Sequence, residues 1–178
     1  MKQINYYILE RLHINKETGN HHYNYHPKTR DELLGLVDKL IKERGNDADL
    51  NDIDTSEITD MNYMFYKSNF NGDISEWDVS NVKNMWSMFG RSKFDGDVSN
   101  WDVSNVEDMG DMFYRSEFTS KNGDISKWDV SNVKDMGHMF AYSSFNGDIS
   151  KWDVSKVEDM HYMFTGTPLE KNTPKWYK

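Results

Sequence analysis

Cysteine is absent from all 178 residues. That excludes a disulfide scaffold, a Cys-ligated zinc site and thiol catalysis. No apolar run approaches the roughly 18 residues a membrane span requires. Proline occurs only at positions 27, 168 and 174, so little interrupts the chain between them. Basic charge is short: 21 Lys and Arg stand against 30 Asp and Glu, a net charge of -9. Such a chain matches a phosphate backbone poorly, and no basic stripe offers a nucleic-acid footprint. Met1-Lys2-Gln3-Ile4-Asn5-Tyr6 opens no apolar signal region. The expectation is therefore a cytoplasmic location, with the cell surface as the alternative if the chain is a trimmed form. The serine-hydrolase elbow, phosphate-binding loop, dinucleotide fingerprint and His-Glu-x-x-His motif are all missing, so no catalytic residue, cofactor or metal is assigned.

What is present divides into three pieces. Residues 1–49 carry eight acids and eight bases, and residues 50–178 carry 22 acids and 13 bases. The first piece reads as a cap: a β-hairpin, with strands over 6–14 and 22–26 joined by a turn at 15–20, then a helix. Thr29 with Glu32 makes a capping box, and Leu33, Leu36, Val37, Leu40 and Ile41 share one face. Arg44 closes the last turn and Gly45 suits the C-cap. His13, His21, His22 and His26 read as a solvated surface in preference to a metal site, which would need further partners to orient them.

The second piece, 50–164, is an internal repeat. Trp77, Trp101, Trp128 and Trp152 are spaced by 24, 27 and 24 residues, and Met-x-x-Met-Phe begins at Met61, Met85, Met109, Met136 and Met160. The first copy carries Ile53 at the Trp position, and Thr119-Ser120-Lys121 is a three-residue insertion beside one Asn-Gly-Asp turn. Ile74, Trp77, Val79 and Val82 have leucine-rich-repeat spacing. A short strand at Trp77-Asp78-Val79 and a short helix through Val82, Met85, Met88 and Phe89 are predicted in each copy. Copies that cannot close a core alone stack, with strands about 4.8 Å apart in a parallel sheet. The Met and Trp are interior packing. The third piece, 165–178, leaves the pattern and reads as a C-terminal cap in which Leu169, Trp176 and Tyr177 cover the last repeat.

The recurring Gly-Asp-x-Ser-x-Trp-Asp-Val-Ser-x-Val with Met-x-x-Met-Phe resembles the repeat of BspA-like leucine-rich-repeat proteins, including the form found in mycoplasma surface lipoproteins. The resemblance implies an α/β right-handed solenoid of five repeats and a binding role, usually toward a protein.

The leading site candidate is a ladder: Asp54, Asp78, Asp102, Asp129 and Asp153 hold one position in all five copies. Glu76, Asn100, Lys127 and Lys151 vary beside it. Stacked carboxylates repel by roughly 1 kcal/mol per pair in water, so something must offset them. Local Ser or backbone donors, or the Lys and Arg of a partner, both answer, and a calcium-type cation is a further alternative. Asp73, Asp97, Asp124 and Asp148 in the Asn-Gly-Asp turns read as turn residues, their Gly neighbours supplying positive φ. His138 and His161, between paired Met residues, are expected to face outward. The reading is a monomeric, non-enzymatic protein-interaction module. A small-ligand or cation binder, and an intracellular or phage effector that sequesters a host protein, are the alternatives.

Overall fold

In the repeats, tight turns follow one another without a helix. The computed structural model describes residues 23–178, and the hairpin segments 6–14 and 15–20 with His13, His21 and His22 lie outside them. In the copy beginning at Met85, the N–H groups of Met88, Gly90 and Ser92 donate to the carbonyls of Met85, Ser87 and Phe89, each three residues back. Ser87 and Arg91 have φ of 54° and 57°. The same left-handed pair recurs as Tyr63 and Lys67, Asp111 and Arg115, and His138 and Tyr142. A helix cannot pass through residues with positive φ, which cost roughly 1–2 kcal/mol each for L-residues. The short helix expected in every repeat is therefore replaced by overlapping turns.

The turns free alternate backbone groups for the neighbouring rung. Met85, Ser87, Phe89 and Arg91 donate to the carbonyls of Asp108, Gly110, Met112 and Tyr114 at 2.6–2.9 Å. The preceding rung does likewise, from Met61, Tyr63, Phe65 and Lys67 to Asn84, Trp86, Met88 and Gly90. Four bonds per rung of the same polarity offset the left-handed strain. Only isolated parallel bridges result, Asp60 to Asn84 to Asp108 to Asp135 to Asp159.

Among the described residues there is no strand-built sheet. At Trp77-Asp78-Val79 the alternation is real, since Trp77 and Val79 are buried while Asp78 is exposed. Yet no backbone bond joins this segment to its counterpart at Trp101-Asp102-Val103. The segment instead bends between two turns, Trp77 N–H to Ile74 and Val82 N–H to Val79. The expected α/β leucine-rich-repeat solenoid of strand-plus-helix units is thus not the architecture of this chain. It is a stack of irregular, turn-rich rungs.

The interior is aromatic. Phe65, Phe89, Phe113, Phe140 and Phe164 form one column, with successive centroids 5.4, 5.5, 5.7 and 6.2 Å apart. Their planes lie within 14° of parallel. Phe70, Phe94, Phe118 and Phe145 pack beside them, and the signature Met residues from Met61 to Met139 are buried. Each buried ring contributes roughly 1.5–3 kcal/mol. The four Trp that recur at one repeat position donate to the rung before them: Trp77 to Leu50, Trp101 to Ile74, Trp128 to Val98 and Trp152 to Ile125, at 3.0–3.2 Å. Trp176 makes the same bond to Ile149 at 3.1 Å, so the tail supplies a partial sixth rung.

Helix α1, Arg30–Arg44, closes the other end. Thr29 caps it by accepting the Glu32 N–H, and Glu32 reaches back to the Lys28 N–H. Gly45, at φ 95°, ends it. Leu33, Val37 and Leu40 are buried against the first rung. Arg30 Nε donates to the Asn62 carbonyl, one of those the first rung leaves without a preceding partner rung. Tyr25 forms an isolated parallel bridge to Ile53, extending the stack by one residue pair. Among the described residues no helix is long and apolar enough to cross a membrane.

Candidate binding surface

Each rung turns three corners, and a carboxylate or amide orders each one by accepting the N–H two residues on, the local bond that favours Asp and Asn in turns. The predicted ladder is one corner. Asp54 and Asp78 each accept both the backbone N–H and the hydroxyl of Ser56 and Ser80. Asp102, Asp129 and Asp153 accept from Ser104, Ser131 and Ser155. The Ser131 and Ser155 bonds hold the Asp129 and Asp153 carboxyls below the usual range, although Asp153 pushes Asp129 upward. Burial acts to raise Asp54, but bonds from Ser56 and His26 outweigh it.

The ladder's N-terminal end is already engaged by its own chain. His26 Nδ1 lies 3.1 Å from Asp54. The Tyr23 phenol is pushed up by burial and then by Asp54, Asp78 and Glu76. Of the flanking candidates, Glu76 is half-buried and its N–H donates to Asn51 Oδ1, while Asn100, Lys127 and Lys151 are exposed. Among the described residues no group of three or more His, Asp or Glu could hold a metal ion.

The second corner is the turn set, where Asp73, Asp97, Asp124 and Asp148 accept from Ser75, Ser99, Ser126 and Ser150. Its glycines do not adopt positive φ, contrary to expectation. They allow close approach: a Cβ on Gly72 would stand 2.0 Å from the Ala48 carbonyl oxygen. The third corner, Asp60, Asn84, Asp108, Asp135 and Asp159, escaped the sequence reading. Here burial pushes the Asp108 carboxyl up, and the charges of Asp135, Asp111 and Asp60 push it further.

Beyond this third corner lies the least periodic face. The slot between the paired Met residues reads Asn62-Tyr63, Trp86-Ser87, Gly110-Asp111, Gly137-His138 and His161-Tyr162. Tyr66, Gly90, Tyr114 and Ala141 follow on the same side, then Lys67, Arg91, Arg115 and Tyr142. His138 and His161 face outward as expected, and Tyr63, Tyr142 and Tyr162 are 36%, 53% and 61% exposed.

A groove of about 290 Å³ runs between Tyr66 and Tyr114, the row in which the intervening rung carries the buried Gly90. A Cβ there would stand 3.0 Å from the Tyr66 ring. Tyr63 meets Tyr66 and Trp86 edge-to-face, with centroids 5.1 and 4.7 Å apart and planes near perpendicular. Ser87 forms part of its floor, and Asp111 and His138 line it. Burial pushes the Asp111 carboxyl up, His138 pulls it down and Asp135 raises it. Arg91 and Arg115 stack on Tyr114 at 5.7 and 5.3 Å, and Lys67 on Tyr66 at 5.0 Å. The signal was in the sequence as a break in the repeat, but only the register between rungs shows that these slots adjoin.

A family model described as "Mycoplasma protein of unknown function, DUF285" matches residues 37–141 and 116–177. No curated protein and no solved structure matches the chain.

Proposed function

The chain belongs to the DUF285 family of mycoplasma proteins of unknown function, and from that premise we propose that it is a non-enzymatic protein-interaction module. The observation that carries this reading is the contrast between a scaffold repeated with few exceptions, such as Ile53 and Asn84, and a variable outward face. Core, corner and Trp positions repeat from rung to rung, whereas Tyr63, Trp86, Tyr114, Tyr142, Tyr162, Arg91 and Arg115 do not. Tyr, Trp and Arg are the residues enriched at binding hot spots, where rigid rings bring large contact area at small entropic cost. The Asp78, Asp102 and Asp129 strip is the second candidate contact, each exposed carboxylate bonding its own serine through Oδ1.

The test is chemical cross-linking and capture from the source cells, comparing three proteins with unchanged circular dichroism. A partner held by the wild type and by Asp78→Asn/Asp102→Asn/Asp129→Asn, but lost by Tyr114→Ala/Tyr142→Ala/Tyr162→Ala, supports the aromatic face. Loss with the Asp set alone moves the contact to the ladder.

A further inference from the structure

We propose that the groove at Gly90 is a small-ligand site for a phosphocholine-type zwitterion, its quaternary ammonium boxed by Tyr63, Tyr66 and Trp86 against Asp111 and its phosphate directed at Arg91 and Arg115. This goes beyond the protein-binding reading; it shares that reading's face but does not need a protein partner.

Three observations converge on the ammonium half. First, Tyr63, Tyr66 and Trp86 all line the groove, and Tyr63 meets the other two edge-to-face with ring planes 79° and 81° apart, so the rings wall it at right angles and form no flat platform. Such corners suit a cation without N–H groups, which is bound through ring quadrupoles and needs no hydrogen-bond acceptor network. Second, Asp111 is half-buried, and among the described residues no side-chain or backbone donor reaches its carboxylate. Every corner carboxylate around it has such a donor. Asp111 is thus the carboxylate of the groove that orders no turn, with His138 beside it in the lining. Third, the space exists through a local departure from the repeat. Gly90 stands where the adjoining rungs carry Tyr66 and Tyr114, and a Cβ there would meet Ser87 Oγ at 2.5 Å and the Tyr66 ring at 3.0 Å, both part of the groove lining.

The anionic half follows from what flanks the box. Arg91 and Arg115 both lie on the Tyr114 ring, so two guanidinium groups sit one ring away from Asp111's groove. With the Lys67 ammonium on the Tyr66 ring, they would be repulsive to a simple cation. For a ligand whose ammonium is followed by a phosphate they supply the complementary charge, and guanidinium groups match phosphate oxygens in geometry.

The test is titration of the full chain with phosphocholine, read by the Trp86 indole N–H resonance and by calorimetry. The expected result is a saturable shift, with choline about tenfold weaker and inorganic phosphate without effect on Trp86. Asp111→Asn and Tyr63→Leu should each weaken binding tenfold or more with an unchanged amide spectrum. Arg91→Gln/Arg115→Gln should bring phosphocholine down to the choline level. Asp129→Asn, on another corner, should bind as the wild type does. Absence of saturation, or equal binding by Asp111→Asn, overturns the site. Choline binding as tightly as phosphocholine overturns the arginine half. Co-sedimentation with phosphatidylcholine vesicles separates a lipid headgroup from the free ester; binding to either source supports the site and binding to neither overturns it. A failed titration leaves the protein-binding reading to its own capture experiment.

Discussion

The Arg44 guanidinium holds the Asp52 carboxylate through two parallel hydrogen bonds, Nη1 to Oδ1 at 2.8 Å and Nη2 to Oδ2 at 2.9 Å. Asp52 is 2% exposed. The same guanidinium donates to the Asp49 carbonyl, and Asn24 Nδ2 bonds Asp52 Oδ2. One pair therefore joins the end of α1, the first rung and the segment before the helix. Removing one member of such a pair strands a buried charge, which costs roughly 3–5 kcal/mol. Arg44→Ala should lower stability by about that amount in urea unfolding. Arg44→Met/Asp52→Leu should recover most of it, because it removes the charge together with its partner.

The third corner contains its own control. Asn84 occupies the position of Asp108 one rung earlier and still accepts the Trp86 N–H at 2.9 Å. The amide does the architectural task without charge. Asp108 is raised by burial and by Asp135, Asp111 and Asp60. A carboxyl raised on folding stabilises fully below its unfolded value, near 3.9, and loses that contribution as pH rises through the folded value. At neutral pH it is ionised at a cost. Asp108→Asn should thus gain on the order of 0.5–1 kcal/mol at pH 7. The gain should vanish near pH 3, where Asp108 is protonated in the wild type. Unfolding curves at the two pH values check the difference, and an equal gain at both would show that charge is not its source.

The ladders of Asp129, Asp148, Asp153 and Asp159 behave oppositely. Bonds from Ser131, Ser150, Ser155 and His161 hold their carboxyls down. A lowered carboxyl contributes stability above its unfolded value and loses it as pH falls through the folded one. The chain should lose stability on acidification below about pH 4, the ordinary Asp range. Ser131→Ala should flatten that loss while lowering stability at pH 7. The measurement is thermal midpoint against pH for both proteins.

Helix α1 was legible because its signals are local: Thr29 and Glu32 at one end, Gly45 at the other, and Leu33, Val37 and Leu40 between them. The stacking was legible as a period. What happens inside the period was not. Apolar residues three and four apart, as at Val82, Met85, Met88 and Phe89, fit a helical turn, and they fit successive three-residue turns equally well. Positive φ decides between the two, and it falls on Ser87, Arg91, His138 and Tyr142, none of them Gly or Asn. Asp78 was placed on the outside by alternation alone, and the sheet inferred around it does not exist. The groove was harder still. Gly90 is informative only when Tyr66 and Tyr114 are known to flank it from adjoining rungs.

That hidden strain is itself measurable. Lys67 has φ 57° and an exposed side chain, and the equivalent position in the last rung is Gly166 at φ 69°. Glycine removes the left-handed penalty of about 1–2 kcal/mol but costs roughly 0.5–1 kcal/mol in unfolded-state freedom. Lys67→Gly should be stabilising by up to about 1 kcal/mol, whereas Lys67→Val, β-branched, should be clearly destabilising. Equal stabilities for the two would mean that the backbone at this position relaxes out of the left-handed region.

The indole bonds give a rung-by-rung probe of the same stack. Trp101 is 4% exposed and satisfies the Ile74 carbonyl at 3.2 Å. Trp101→Phe removes one of the two donors to that carbonyl, leaving the Trp77 N–H, and its smaller ring underfills the interior, which together should cost roughly 1–3 kcal/mol. Trp176 makes the corresponding bond to Ile149, but it is half-buried. Water can replace its indole at the carbonyl, so Trp176→Phe should cost under about 1 kcal/mol. Hydrogen exchange at the Ser150–Trp152 amides should rise in the second variant with little change at Met85 and Phe89, because contacts in a repeat array are nearest-neighbour. A cost at Trp176 equal to that at Trp101, with exchange rising throughout, would show that the partial sixth rung stabilises the stack as a full rung does.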